Sequence, residues 1–499
     1  MRRIFQYMIW LFLGVCSICA AHAQTTADQE KIAASQAGAS PLYFDAAASG
    51  IPAVEPGSFY NAQECQVRAG LPDFFEKIKQ EKEVVVAFIG GSITQAGFCY
   101  RLQTARYLEQ LYPSARFKWI NAGVSGTGTE LGAFRIGEQV LQHKPDLIFV
   151  EFAVNGAYPA GMEGMIRQTI KANPSTDICL LYTIQNGQTT FYQKNEVPPN
   201  IKGLEQVAAH YGLSSVHLGM EAASLEAAGK LIWKGSPGAD PGKIIFSEDG
   251  IHPATAGGNL YAAAIARAFQ KMKTAAQAKK KQLPAPVITA NWDAATMVEP
   301  SIAAQANNGW APHATAPDPA LNKFNPWFAT VFTANKPGAS FRFRFCGDLF
   351  GLFDIGGPEA GQLEFTVDGK PVKLSREKEG SFMYYQANDT VSNKVLNRFN
   401  AYCNNRYRGQ FDVIKLEPGV HDVVVTVSAQ KADKLQILPA DKREDIEQHP
   451  EKYDRSVIYL GRILIRGKLV KEPAPARIKN NTTIISCNPF FTAKNTSYD

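Results

Sequence analysis

Hydrophobic and polar positions fall into two regimes along the chain. In the first, short apolar runs alternate with stretches of helical period. Val84-Val85-Val86-Ala87-Phe88-Ile89 is an unbroken apolar run whose branched side chains suit a strand covered on both faces. The pattern then predicts a helix over Tyr100 to Leu111, a strand over Arg116 to Ile120, a helix over Glu130 to His143 and a strand over Asp146 to Phe152. A helix around Met162 to Ala172 and a strand over Asp177 to Ile184 follow. Beyond a polar loop from Gln185 to Pro199 come a helix ending at His210, a strand over Ser214 to Leu218 and a last helix from Thr255 to Met272. Strands alternating with helices in this way predict a flavodoxin-like, three-layer α/β domain with a parallel sheet. Ahead of it, Leu71 to Lys79 reads as a packing helix: Pro72 and Asp73 suit its start, and Phe74, Phe75 and Ile78 share one face.

The second regime begins after Lys279-Lys280-Lys281-Gln282-Leu283-Pro284-Ala285-Pro286, whose charge and prolines read as a linker. Ser340-Phe341-Arg342-Phe343-Arg344-Phe345 alternates with the period of a half-buried strand, Leu363 to Val367 runs into the turn Asp368-Gly369, and Val423 to Val427 and Val457 to Ile465 follow. Strands without long helices predict a smaller all-β sandwich or jelly-roll domain. The charged stretch Lys431 to Arg455 reads as a surface excursion with a helical turn or two. At the other end, Arg2 and Arg3 precede an apolar run from Met8 to Ala21, and Ala21-His22-Ala23 has the form of a signal peptidase site. The resulting division is a signal peptide (1–23), an N-terminal extension (24–83), an α/β domain (84–275), a linker (276–286), a β domain (287–470) and a polar tail (471–499). The expected location is secreted or periplasmic, with no integral membrane segment left after cleavage.

Composition changes this picture little. With 45% hydrophobic and 20% charged residues the chain is that of a globular protein, and 499 residues suit two cores. The net charge of +6 falls to +4 when Arg2 and Arg3 leave, which does not point to nucleic acid. Cys65, Cys99, Cys179, Cys346, Cys403 and Cys487 remain; export permits disulfides, a Cys346–Cys403 pair among them, and the pairing stays open. No H-E-x-x-H, phosphate-loop lysine or paired C-x-x-C occurs in the mature chain, so neither a metal nor another cofactor is expected. Gly126 to Gly132 resembles a dinucleotide fingerprint with one residue inserted, but it follows the second strand rather than the first, and only Glu151 stands where a ribose-binding acid would.

Chemistry enters at the strand ends. Ser92 follows the first strand across Gly90-Gly91; Asn121 to Gly128 follows the second; Ala153-Val154-Asn155-Gly156 follows the third; Asp249-Gly250-Ile251-His252-Pro253 precedes the last helix. One rim therefore carries a hydroxyl, a glycine-rich loop, a carboxamide and a carboxylate three residues from an imidazole. Acyl transfer needs that inventory: a nucleophile, a base, an acid that orients the base, and donors for a developing oxyanion.

On these four blocks the chain resembles the SGNH/GDSL hydrolase superfamily over Val84 to Met272. The matching positions are Ser92, Gly126, Asn155 and His252, with Asp249 in the acid place of the D-x-x-H block. Two positions depart from the family pattern: Gly91 stands where an Asp precedes the serine, and Gly156 where an Asp follows the asparagine. The resemblance implies a Ser92–His252–Asp249 triad and an oxyanion hole made by the backbone N–H groups of Ser92 and Gly126 and the Asn155 side chain. It further implies a serine esterase, here one that removes acyl groups, O-acetyl above all, from an acylated glycan. In the β domain, Trp327, Arg398, Tyr402, Arg406 and Tyr407 are candidate sugar-binding residues, because aromatic faces and planar polar groups hold sugars; core packing explains such rings equally well. A lipid or lysophospholipid acylhydrolase, and a glycan-binding protein with an idle hydrolase domain, are the alternatives.

Overall fold

The computed structural model describes residues 38–470 apart from 52, 81, 98, 237, 239, 276–281, 405 and 406. The signal peptide, the tail, the lysine run of the linker and Arg406 lie outside the described residues. Five parallel strands form the first sheet: β1 (Glu83–Gly90), β2 (Arg116–Gly123), β3 (Leu147–Glu151), β4 (Asp177–Tyr182) and β5 (Ser214–His217). Their order, β2-β1-β3-β4-β5, is the flavodoxin-like one. The central strands are buried on both faces, with Phe88 and Phe149 stacked across β1 and β3 at 4.9 Å. Helices α1 (Pro72–Lys79), α2 (Ser92–Gln95), α3 (Tyr100–Leu111), α4 (Thr129–Gln139), α5 (Pro159–Ala172), α6 (Pro199–His210) and α7 (Thr255–Ala275) surround it. Phe74 and Phe75 of α1 pack edge-on against Phe269 of α7, as the shared apolar face requires.

The polar extension, irregular by pattern, supplies both sheet edges. Tyr43–Phe44 pairs antiparallel with β2, and Cys65–Gln66 pairs antiparallel with β5. Two-residue strands leave no periodicity to read, yet they cover the backbone groups that open edges expose.

The C-terminal half is all-β. Its centre is made by β6 (Ser340–Gly356), β7 (Gln362–Val367), β8 (Leu374–Glu379), β9 (Phe382–Ala387), β10 (Arg408–Val427) and β11 (Ile458–Leu469), in a sheet whose pairings are antiparallel except between β9 and β10. Along β6 the register shifts at Gly347/Leu349. Before the shift, Phe341, Phe343 and Phe345 are buried while the residues between them are partly exposed; after it, every residue to Gly356 is buried. The second half of β6 is covered on both sides, because Leu349, Phe353 and Ile355 join the core of the α/β domain whereas Phe350 and Leu352 stay in the β core.

Trp292 is the keystone between the halves. Fully buried, it packs on Phe134 of α4, Tyr158 before α5 and Phe382 of β9, with centroids at 5.2, 6.0 and 4.9 Å. Arg462 of β11 grips Glu138 of α4 at 2.7 Å beside this contact. The charged stretch 431–455 forms an excursion of short helices, Lys434–Ile437, Glu444–Gln448 and Pro450–Tyr453. Cys403 is a free buried thiol and Cys346 is disulfide-bonded, so the Cys346–Cys403 pairing is not made. Among the described residues no helix is long and apolar enough to cross a membrane.

Candidate active site

The carboxyl end of β1 turns at Gly90-Gly91 and delivers Ser92 as the first residue of α2. Gly91 is needed for close approach: a Cβ built there would lie 2.7 Å from Asn155 Nδ2. In this structure a side chain at this place would displace the carboxamide. Two buried guanidinium groups fix the turn. Arg135 Nη2 donates to Gly90 O at 2.8 Å, and Arg101 donates through Nε to Thr94 O at 2.9 Å and through Nη2 to Ala96 O at 3.2 Å. Burial lowers both, Arg135 to about 9 and Arg101 to about 10, which leaves them cationic at neutral pH.

His252 comes from the loop before α7. Its Nε2 lies 2.7 Å from Ser92 Oγ and its Nδ1 2.6 Å from Asp249 Oδ2. The other carboxylate oxygen of Asp249 accepts the backbone N–H groups of Ile251 and His252, both at 2.8 Å, and the Ser247 hydroxyl at 3.1 Å. Burial works against ionisation of Asp249, but the His252 ring and these backbone donors outweigh it and hold the carboxyl well below the usual range. The loop rests on a platform that sequence gave no sign of. The parallel strands Leu231–Lys234 and Ile244–Ser247 stack Trp233 on Phe246 at 4.0 Å, and Trp233 Nε1 donates to Gly250 O at 3.0 Å.

Asn155 Nδ2 is 3.5 Å from Ser92 Oγ, so the carboxamide flanks the hydroxyl. Gly126 occupies the left-handed region at φ +72°, where a side chain would be strained. Its loop is tied to the serine turn by Gln95, whose Oε1 accepts the Ser125 N–H at 2.7 Å. Behind both loops lies Glu130, packed against Gly128 and Gly156. Its Oε2 has no hydrogen-bond partner among the described residues, and burial pushes the carboxyl up to about 7 against the pull of the Glu130 and Gly128 backbone N–H groups.

The four blocks named from sequence thus converge within the α/β domain: Ser92, His252, Asp249, Gly126 and Asn155 share one rim. The β-domain candidates do not stay together. Arg398 is 2% exposed and clamps Asp354 at 2.5 and 3.0 Å while also pairing with Asp412, so its guanidinium is committed inside the sheet. Tyr407 donates to Glu359 at 2.7 Å, and Trp327 shares a small cavity with Asn121 and Glu138 at the junction of the halves. Tyr402 is 54% exposed and lies under the guanidinium of Arg408 at 4.6 Å. Arg408, which the sequence sets among the same interleaved aromatic and basic residues, borders the site itself: a Cβ on Gly126 would be 2.9 Å from its Nη2. A contact made across this much chain leaves no local signal.

The model of the GDSL-like lipase/acylhydrolase family matches residues 88–260. A two-domain esterase (CEX) active on acetylated mannans, crystallised with mannopentaose, superimposes with a TM-score of 0.58 at 20% identity, covering 83% of this chain and 100% of that one. A second structure of a two-domain esterase (CEX) active on acetylated mannans gives 0.56 at 20% identity, covering 81% and 97%. These likenesses are of fold. No curated protein matches the chain. The four blocks, the sheet order and the matched span agree: over residues 88–260 the α/β domain matches the GDSL-like lipase/acylhydrolase family, and the chain is a carboxylic ester hydrolase of SGNH type with an all-β domain following it.

Proposed function

We propose that the protein is an exported serine esterase that removes acetyl groups from a polysaccharide, with Ser92, His252 and Asp249 as its triad. The observation that carries this is the unbroken relay from Ser92 Oγ to His252 Nε2 at 2.7 Å and from His252 Nδ1 to Asp249 Oδ2 at 2.6 Å. In this reading Ser92 Oγ attacks the acetyl carbonyl as its proton passes to Nε2. Asp249, ionised, stabilises the imidazolium that forms. The oxyanion is met by the backbone N–H groups of Ser92 and Gly126 and by Asn155 Nδ2. His252 then returns the proton to the departing sugar oxygen, leaving an acetyl-Ser92. Water, deprotonated by the same imidazole, releases acetate and restores the hydroxyl.

The glycan part of the proposal is supported by the acetylated-mannan activity named for the two-domain esterases of the same architecture. Placement of β-domain residues at the rim supports it too, since a polymer bound at Ser92 would pass Arg408 and Tyr402. Export is supported by the form of residues 1–23 alone. The test is acetate release from acetylated glycans, together with a nitrophenyl ester series of rising acyl length, by wild type and Ser92→Ala. Wild type should favour acetyl and Ser92→Ala should lose at least about 1,000-fold in kcat. Equal rates would remove Ser92 from the mechanism, and a preference for long acyl chains would replace the glycan by a lipid.

A further inference from the structure

Under the serine turn lies a second carboxylate that the triad does not use. Glu151 is the last residue of β3, in register with Gly90 at the end of β1, and is 2% exposed. Its Oε1 accepts the Thr183 hydroxyl at 2.6 Å and its Oε2 accepts the Thr94 hydroxyl at 2.9 Å. Because Thr94 gives its proton to the carboxylate, Tyr100, 2.8 Å from the Thr94 oxygen, must be the donor in that pair. Donors from the residue after β4, from α2 and, through Thr94, from α3 therefore converge on one carboxylate. Space is made for this by Gly90, where a Cβ would fall 2.1 Å from Thr94 Oγ1.

We propose that Glu151 is a positioning residue for the esterase site: its carboxylate anchors the turn that carries Ser92 through the Thr94 hydroxyl and sets a negative charge in the surroundings of the catalytic imidazole. The Asp that the family pattern sets beside the serine is absent here, and Glu151 supplies a carboxylate to the same turn from the neighbouring strand. The inference rests on the Ser92–His252 reading of the site. What separates it from ordinary core satisfaction is the place of the anchored hydroxyl: Thr94, which donates to Glu151 at 2.9 Å, lies in the same four-residue helix α2 that Ser92 begins. Burial raises the Glu151 carboxyl, while Thr183, Thr94, His252 and the Gly91 N–H favour its charged form. Tyr100, Tyr261 and Cys99, which act on it from α3, α7 and the turn before α3, are raised by burial and stay neutral. Arg101 faces the other side of the turn, and Asp249 meets His252 from its own loop.

The experiment compares wild type, Glu151→Gln and Glu151→Asp on 4-nitrophenyl acetate across pH. Glu151→Gln keeps the shape, removes the charge and presents an amide to donors. Its kcat should fall about 10- to 100-fold with KM nearly unchanged, and the acidic limb of its kcat/KM profile should move to lower pH by about half a unit or more. Glu151→Asp, charged on a shorter arm, should lose rate but keep the acidic limb in place. A Glu151→Gln enzyme with the wild-type limb, or with wild-type kcat, overturns the proposal. Loss of rate and of thermal stability with an unmoved limb would mean a purely structural carboxyl and overturns it equally. If Glu151→Gln does not fold, Thr183→Val removes one of the same donors: it should lose rate where Thr183→Ser does not, and wild-type rate and limb in Thr183→Val overturn the proposal. Ser92→Ala, assayed alongside, keeps the two readings apart, since its inactivity beside a fully active Glu151→Gln sinks only the role of Glu151.

Discussion

Glu130 shows what one side chain costs when it is buried without a full set of partners. Its carboxyl, pushed from 4.5 to about 7, holds its proton more tightly folded than unfolded. A raised acid of this kind contributes stability that is complete below the unfolded value and is lost as pH rises through the folded one. Wild type should therefore lose up to about 3 kcal/mol between pH 4.5 and pH 8 on this account. Glu130→Gln, which cannot ionise, should lack that loss, so its melting temperature should overtake that of wild type above pH 7. Parallel melting curves across the whole range argue against the assignment. Asn155 is the opposite case, a side chain that in the proposed mechanism matters for what it meets in the transition state. Asn155→Ala should lower kcat about 100- to 1,000-fold while melting at nearly the wild-type temperature, as loss of one oxyanion donor does. Equal kcat values would take the carboxamide out of the oxyanion hole.

At the scale of elements, the serine turn is built by exclusion: the glycine that replaces an acid leaves room for Asn155 to come close. Restoring the family residue should therefore harm the enzyme. Gly91→Asp sets a Cβ 2.7 Å from Asn155 Nδ2, and the far end of that flexible side chain yields first. Turnover of 4-nitrophenyl acetate should fall by about 100-fold, close to the cost of removing the carboxamide, and Asn155→Ala combined with Gly91→Asp should cost little more than either alone. Additive losses would show that the two positions act separately. The parallel strands, the helices between them and the strand-end blocks were legible in the sequence, because a doubly covered strand is a continuous apolar run and its end is marked by glycine. The edge strands Tyr43–Phe44 and Cys65–Gln66 and the platform around Trp233 were not, being two to four residues long and fixed by tertiary contact. Glu151 was legible only as a possible ribose acid, since a lone carboxylate at a strand end does not announce which donors will surround it.

For the whole molecule, the linker and the change of pattern suggested two bodies, whereas Leu349, Phe353, Ile355, Val413 and Leu464 of the β half pack into the core of the α/β half. Trp292 closes that joint, and Trp292→Ala should cost about 3 to 5 kcal/mol and lower a single shared thermal transition. Two separate transitions, only one of them shifted, would argue for independent halves. The joint also decides what the substrate meets. Alternation along β6 and β10 identifies sheet faces but not the distant loop a strand end will touch, so nothing in the sequence ranked Arg408 above its basic neighbours, while the more conspicuous Arg398 proved committed to Asp354 and Asp412. Arg408 lies over the exposed Tyr402 and against Gly126, so in the proposed reading a glycan held by its acetyl group at Ser92 would extend past it. A small aryl ester does not extend that far. Arg408→Ala should therefore lower kcat/KM for an acetylated polysaccharide by about 10-fold, the scale of one lost charged hydrogen-bonding group, and leave 4-nitrophenyl acetate within about twofold. If both substrates fall together, Arg408 acts through the Gly126 loop on the oxyanion; if neither falls, the β domain borders the site without touching the substrate there.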